Sequence, residues 1–419
     1  MIRKTTLDNG IRVISEKVEG VHSVSLGVWV ENGSRHESPE NNGISHFIEH
    51  MLFKGTRSRS AQDIAREIDS VGGLLNAFTS REYSCFFAKV LGDKLTLALD
   101  LLSDILLDSV FDAGELEKER NVILQEIHMV SDMPEDYVHD LFYRTLWQDH
   151  PLGLPVLGTL DSVSGLSRET ILSALRQRYC GKRILVTAAG DLDHDEVAGA
   201  IESAFAALPG GEGPAVCSLP VYHPHFKVLE RDLEQAHICF GTKSLPQNHD
   251  RRYEAYLLNA LLGSSMSSRL FQGIREEKGL AYSIYSYLNC HSDAGAMVIY
   301  AGTAPEKAFE VVDLVLKEMR RLKEEAVSEQ ELRRVQEQLK GTLYLSQENT
   351  DSRMTRLAKN EIYFGRHVPI DEVAAGFDNV SAASLLEMTQ RLFEDESLNI
   401  QMVGKVPASN YPTEKLSLS

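Results

Sequence analysis

A chain of 419 residues, 43% hydrophobic and 25% charged, has the make-up of a folded globular protein and is long enough for two or more domains. Its 61 acidic against 43 basic residues leave a formal net charge of -18, which argues against a surface for nucleic acid or anionic membrane. Five scattered cysteines (Cys85, Cys180, Cys217, Cys239 and Cys290) with no CxxC pair indicate neither a disulfide framework nor a cysteine zinc site, and they suit a reducing compartment.

The N-terminal stretch MIRKTTLDNGIRVISE passes straight into strand-like alternation through a DNG turn, without the apolar core of a signal peptide or an Arg/Ser-rich transit peptide. No apolar run approaches the roughly 20 residues that span a bilayer. A cytoplasmic protein is expected. IRVISE and SVSLGVWVENGS read as strands, residues 43–54 and 60–71 as helices, LLNAFTSREYSCFFAKV as a strand pair, 92–108 as an amphipathic helix and 113–131 as a long charged helix. Residues 208–224, LPGGEGPAVCSLPVYHP, concentrate Gly and Pro without periodicity and read as a linker.

Beyond the linker the order repeats. QAHICFGTKSL is a strand, 252–278 is helical, AYSIYSYLNCHSDAGAMVIYAGTA is strand-rich, PEKAFEVVDLVLKEMRRLKEE stands where 92–108 stood, and SEQELRRVQEQLKGTLYL where 113–131 stood. The expected organisation is therefore two α+β lobes, 1–210 and 225–419, joined by a linker at 211–224.

GISHFIEHMLFKG, residues 43–55, carries the chemistry. On a helix, His46 and His50 at i and i+4 share a face and can bind one metal with Glu49 beside them. The blander alternative is two incidental histidines on a helix made apolar by Phe47, Ile48, Met51 and Leu52. A zinc site needs a third protein ligand and a position for water. In ELEKERNVILQEIHMV, Glu119 and Glu126 lie seven apart on one face, interrupted by Val122 and Ile123, so both carboxylates are expected in apolar surroundings where a cation would offset their burial. A solvated charged face accounts for Glu115, Glu117 and Lys118 but less well for Glu126.

HxxEH followed by this ExxxxxxE helix resembles the inverzincin peptidases of the pitrilysin family, which includes insulin-degrading enzyme and mitochondrial processing peptidase. The resemblance covers almost the whole chain and is closest to the small bacterial members akin to mitochondrial processing peptidase. It implies a clam-shell of two homologous α/β-sandwich lobes, each a mixed, mostly antiparallel sheet with helices on one side. It also implies one Zn2+ per chain held by His46, His50 and Glu126, with Glu49 as general base and Glu119 as supporting acid. His50 and Glu126 are separated by 75 residues, one short of the family's usual interval, which implies a short loop deletion.

GGLLNAFTSREYSCFF resembles the family's active-site edge strand, on which substrate lies as an added strand against Asn76, Ala77 and Phe78; a plain sheet strand is the alternative. SRLFQGIREEKGLAYSIYS resembles the segment that brings Arg275 and Tyr282 to the site from the second lobe, where solvation and packing are the ordinary roles of such residues. LLGSSMSSRLF stands where a second HxxEH would be, so the second lobe carries no metal. The resemblance thus implies a zinc metallo-endopeptidase for peptides or unfolded segments, with a second, identical or related chain as partner. The alternatives are a noncatalytic subunit or scaffold of the same family, and a nonhydrolytic metal-binding protein that would have no use for Glu49.

Overall fold

The computed structural model describes residues 1–214, 217–407 and 416–418; Ala215 and Val216 of the expected linker lie outside the described residues. The first half contributes strands β1 (Ile2–Thr6), β2 (Arg12–Lys17), β3 (Ser23–Val30), β4 (Leu74–Thr79), β5 (Ser84–Leu91) and β6 (Ile184–Gly190). Its helices are α1 (Ile44–Leu52), α2 (Ala61–Ser70), α3 (Leu95–Asp108), α4 (Ala113–Asp132), α5 (Pro134–Leu146), α6 (Leu160–Gly165), α7 (Arg168–Arg178) and α8 (His194–Ala204). The second half adds β7 (His225–Glu230), β8 (Ala236–Ser244), β9 (Ala281–Cys290), β10 (Gly295–Thr303) and β11 (Asn399–Gly404). With them come α9 (Arg252–Leu262), α10 (Ala308–Glu324), α11 (Glu329–Leu345), α12 (Thr350–Phe364), α13 (Ile370–Asp378) and α14 (Ala382–Leu392).

The internal repeat is explicit in the strand order. The first sheet runs β1-β2-β6-β3-β5-β4 and the second β7-β11-β8-β10-β9, the same arrangement without an equivalent of β1. In each, one parallel pair, β2 with β6 or β7 with β11, joins an otherwise antiparallel sheet. The chain is thus α+β with two mixed, mostly antiparallel sheets.

Two compact units form around these sheets, and they are not contiguous in sequence. One comprises Met1–Met129, Leu154–Cys217 and Ser346–His367, the other Val130–Gly153, Ser218–Leu345 and Val368–Ser419. The helices were expected on one side of each sheet, whereas both faces are covered. In the first unit Val24, Leu26 and Val28 of β3 face Phe47 and Ile48 of α1 and Leu102 and Ile105 of α3 in one core. On the other face Trp29, Cys85 and Leu185 pack with Met354, Leu357 and Ala358 of α12. In the second unit α5 plays the same part, its Val138, Phe142 and Leu146 burying Cys239, Val298 and Val403. The physical reason lies in the strands themselves: β10 is apolar on both faces, and β3 is apolar on one and carries Trp29 and small residues on the other, where Ser25 bonds Thr350 and Asp351 at the start of α12. Each fully buried Leu, Ile or Phe contributes roughly 1.5–3 kcal/mol, so neither face can be left open.

The long helix expected over 252–278 is broken. Helix α9 stops at Leu262, a turn follows through the GSSMSS stretch, and residues Phe271–Glu276 form a π-helical segment. Gly and Ser favour turns over helix interiors, and at Gly263 a Cβ would meet the Ser286 backbone nitrogen at 2.8 Å.

Candidate metal centre

Helix α1 begins where the backbone turns left-handed. Gly43 has φ 90°, and a Cβ there would meet the Leu157 carbonyl oxygen at 2.6 Å, so both conformation and space call for glycine. The unpaired N–H groups of the first turn are met by a buried carboxylate from the preceding loop. Glu37 accepts from Gly43 N and Ser45 N, each at 2.8 Å, and from Asn42 Nδ2 at 3.0 Å. A negative charge at this end also suits the helix dipole.

With α1 fixed, His46 and His50 emerge on one face, their ring centroids 4.5 Å apart and edge to face. Helix α4 supplies the third donor. Its Arg120 bonds the Val163 carbonyl and, at 2.7 Å, the Leu166 carbonyl, and its guanidinium lies over the Phe47 ring of α1. Glu126 Oε2 then stands 3.8 Å from His46 Nε2 and 3.7 Å from His50 Nε2. These three residues are the only cluster of three or more potential metal ligands among the described residues. Tetrahedral zinc with bonds of about 2.0–2.1 Å sets its ligands roughly 3.4 Å apart, so the donor atoms fit such an ion with a small contraction. Burial, reinforced by the charge of His50, holds the His46 imidazole down at about 3, so it stays neutral and able to ligate.

Glu119 and Glu126 share a helix face but not an environment. Glu119 is buried, and its charge is met by protein: His50 Nδ1 lies 3.0 Å from Oε2 and Lys54 Nζ 2.7 Å from Oε1. The Glu126 side chain is 36% exposed, which corrects the expectation of apolar surroundings for it. Burial therefore distinguishes Glu119 from Glu126, a difference that helix periodicity alone does not contain.

Glu49 sits on the same helix with its carboxyl pushed up by burial and further by Glu126, against opposing effects of a hydrogen bond from Thr79 and the charge of His50. Thr79 Oγ1 donates to Glu49 Oε2 at 2.5 Å. Neither Thr79 nor Lys54 stood out in the sequence, because each acts by a contact between elements rather than by a spacing within one.

Asn76, Ala77 and Phe78 lie on β4, which among the described residues pairs only with β5 and forms the end of its sheet beside α1. Ala77 N donates to Asn76 Oδ1 at 2.8 Å. Phe78 is partly exposed on the opposite face from Thr79, in edge-to-face contact with Trp29. Arg275 and Tyr282 belong to the second unit. Arg275 lies on the π-helical segment with its guanidinium 4.6 Å from the Phe271 ring centroid, and Tyr282, at the start of β9, is 72% exposed.

Comparison with known proteins agrees with this architecture. Residues 12–160 match the insulinase family (peptidase family M16), and residues 165–339 match the peptidase M16 inactive domain. The chain is 40% identical to YmxG of Bacillus subtilis, named an uncharacterized zinc protease, over 99% of this chain and all of that one. An uncharacterized zinc protease of Streptomyces coelicolor is 39% identical, with 91% of this chain and 84% of the relative covered. Among solved structures, a peptidase M16 inactive domain from Pseudomonas fluorescens superposes with a TM-score of 0.91 at 17% identity, covering 98% of this chain and all of the other. A protease from Helicobacter pylori gives 0.88 at 21% identity, with 96% and 99% covered. A chain of Complex III2 from Candida albicans gives 0.88 at 25% identity, with 99% of each covered. Among the described residues no helix is long and apolar enough to cross a membrane. Two family domains in tandem, whole-length relatives named zinc proteases and the fold together establish that the chain belongs to peptidase family M16.

Proposed function

We propose that this protein is a zinc-dependent metallo-endopeptidase that cleaves peptides or unfolded polypeptide segments. The observation that carries the reading is the convergence of His46 Nε2, His50 Nε2 and the Glu126 carboxylate with Glu49 on the same helix. His46, His50 and Glu126 would hold one zinc per chain. When bound, zinc supplies Lewis acidity, lowering the pKa of a water toward neutrality and polarising a carbonyl. Glu49 takes the proton of the attacking water and returns it to the leaving amine nitrogen. Its partly desolvated, raised carboxyl suits both transfers. Glu119 orients His50 through Nδ1.

The free edge of β4 supports an extended substrate, held as an added strand at Asn76, Ala77 and Phe78. Arg275 and Tyr282 keep, on the sequence resemblance alone, their role in supporting the oxyanion. A second identical or related chain, and a bacterial cytoplasmic location in keeping with the bacterial relatives, complete the proposal.

The alternative is a noncatalytic subunit or scaffold of the same family; a chain of Complex III2 shares this fold as part of a larger assembly. The intact donor set and Glu49 favour the enzyme. Replacing Glu49→Gln tests the mechanism. Zinc content should stay at the wild-type level while hydrolysis of a quenched fluorescent peptide is lost; retained cleavage would remove Glu49 as the base.

A further inference from the structure

The residue that ends β4 is bonded to the carboxylate proposed as the base. An ionised carboxylate has no proton to give, so the Thr79 hydroxyl is the donor in its 2.5 Å contact with Glu49 Oε2. Thr79 Oγ1 also lies 3.1 Å from Ser84 Oγ, and Ser84 is the residue opposite Thr79 in the β4–β5 register. Ser84 Oγ donates to the Asn32 carbonyl at 3.2 Å, and Asn32 Nδ2 donates to Ser45 Oγ at 3.0 Å. With the Thr79 proton on Glu49 and the Ser84 proton on the Asn32 carbonyl, the two hydroxyl oxygens touch without a hydrogen between them, so Thr79 meets α1 at Glu49 while the Ser84–Asn32–Ser45 bonds meet it separately, one turn earlier, beside His46. Asn32, Ser45 and Ser84 are fully buried.

We propose that Thr79 is the positioning residue for the general base. It holds Glu49 by one carboxylate oxygen, leaves the other free for the proton of water, and ties that orientation to the strand on which substrate lies. The inference rests on the peptidase reading for its catalytic consequence, but the Thr79–Glu49 bond itself is independent of that reading.

The test uses the full chain carrying Thr79→Val or Thr79→Ser. With zinc and a quenched fluorescent peptide, Thr79→Val should lower kcat by about 10–100-fold with KM within about twofold, because the base is misplaced while the strand edge is kept. Thr79→Ser, which restores the hydroxyl, should recover most of kcat, and zinc content should match wild type in both. If the valine variant does not fold, Thr79→Ala takes its place. In the metal-free protein, the losses of urea midpoint for Thr79→Val and Glu49→Ala should be less than additive in the double variant. Wild-type kcat in Thr79→Val, a serine variant as impaired as the valine one, or strictly additive losses would each overturn the assignment. Absence of chelator-sensitive cleavage in the wild type would sink the peptidase reading instead and leave the double-mutant comparison to decide the role of Thr79.

Discussion

His50 Nδ1 lies 3.0 Å from Glu119 Oε2, so the imidazole that offers Nε2 to the metal position is held from behind by a buried carboxylate. That bond fixes the tautomer and ring orientation of His50, and Lys54 Nζ on the other oxygen keeps Glu119 paired. Glu119→Gln keeps an acceptor but loses the charge. Zinc affinity should fall by about 10–100-fold, read by competition with a chromophoric chelator. An unchanged dissociation constant would reduce Glu119 to a packing role.

Glu126 should behave differently. Its side chain is 36% exposed, so Glu126→Gln should cost the metal-free fold under about 1 kcal/mol while sharply lowering bound zinc. Metal analysis alongside urea unfolding checks both halves, and normal zinc content would strike Glu126 from the donor set.

The cap on α1 is a structural prerequisite of the site. Glu37→Ala removes the acceptor of two backbone N–H groups and of the Asn42 amide in a buried place. The loss should be roughly 3 kcal/mol by urea unfolding, since hydrogen bonds to a charged group contribute more than neutral ones. A change below about 0.5 kcal/mol would show that α1 is held by packing alone.

Acid should destabilise the metal-free protein through its buried histidines. Burial pushes His36 and His139 each down to about 4, with Glu82 opposing the effect at His36 and Asp136 at His139. At His36 the neutral ring accepts from Gly33 N, and at His139 the Tyr287 hydroxyl is 2.9 Å away. Unfolded, both titrate near 6.5, so between about 6.5 and 4 the unfolded chain binds more protons than the native one. Their contribution is whole above about pH 6.5 and is lost as pH falls toward 4, on the order of 3 kcal/mol for each. Urea midpoints at pH 7.5, 6 and 4.5 should decline in the wild type and decline less in His36→Gln; parallel profiles would contradict this account.

How far the sequence alone reaches can be seen residue by residue. That His46, Glu49 and His50 lie together on one helix was legible because i and i+4 spacing on one helix turn is a local fact, and that Glu126 shares a face with Glu119 because the two are seven apart. The two-lobe repeat was legible in the order of elements, and the sheets show it. What periodicity does not contain is which part of a face meets solvent, hence the misplaced burial of Glu126. Thr79 and Lys54 act across elements far apart in sequence, and Glu37 acts through a loop whose fold shows no periodicity. The same limit applies to α5 and α12, whose apolar faces cover the sheet of the unit formed mostly by the other half. The break after α9 falls at Gly263 and the serines that follow, residues that favour turns over helix interiors.

The most direct measurement combines metal analysis with cleavage of a quenched fluorescent basic peptide on one purified sample, before chelation, after it, and after zinc is restored. About one zinc per chain, with cleavage lost on chelation and regained with zinc, is the predicted result. Full zinc occupancy with no cleavage of that peptide or of a mixed peptide library would contradict the peptidase assignment and leave a metal-binding subunit of the family in its place.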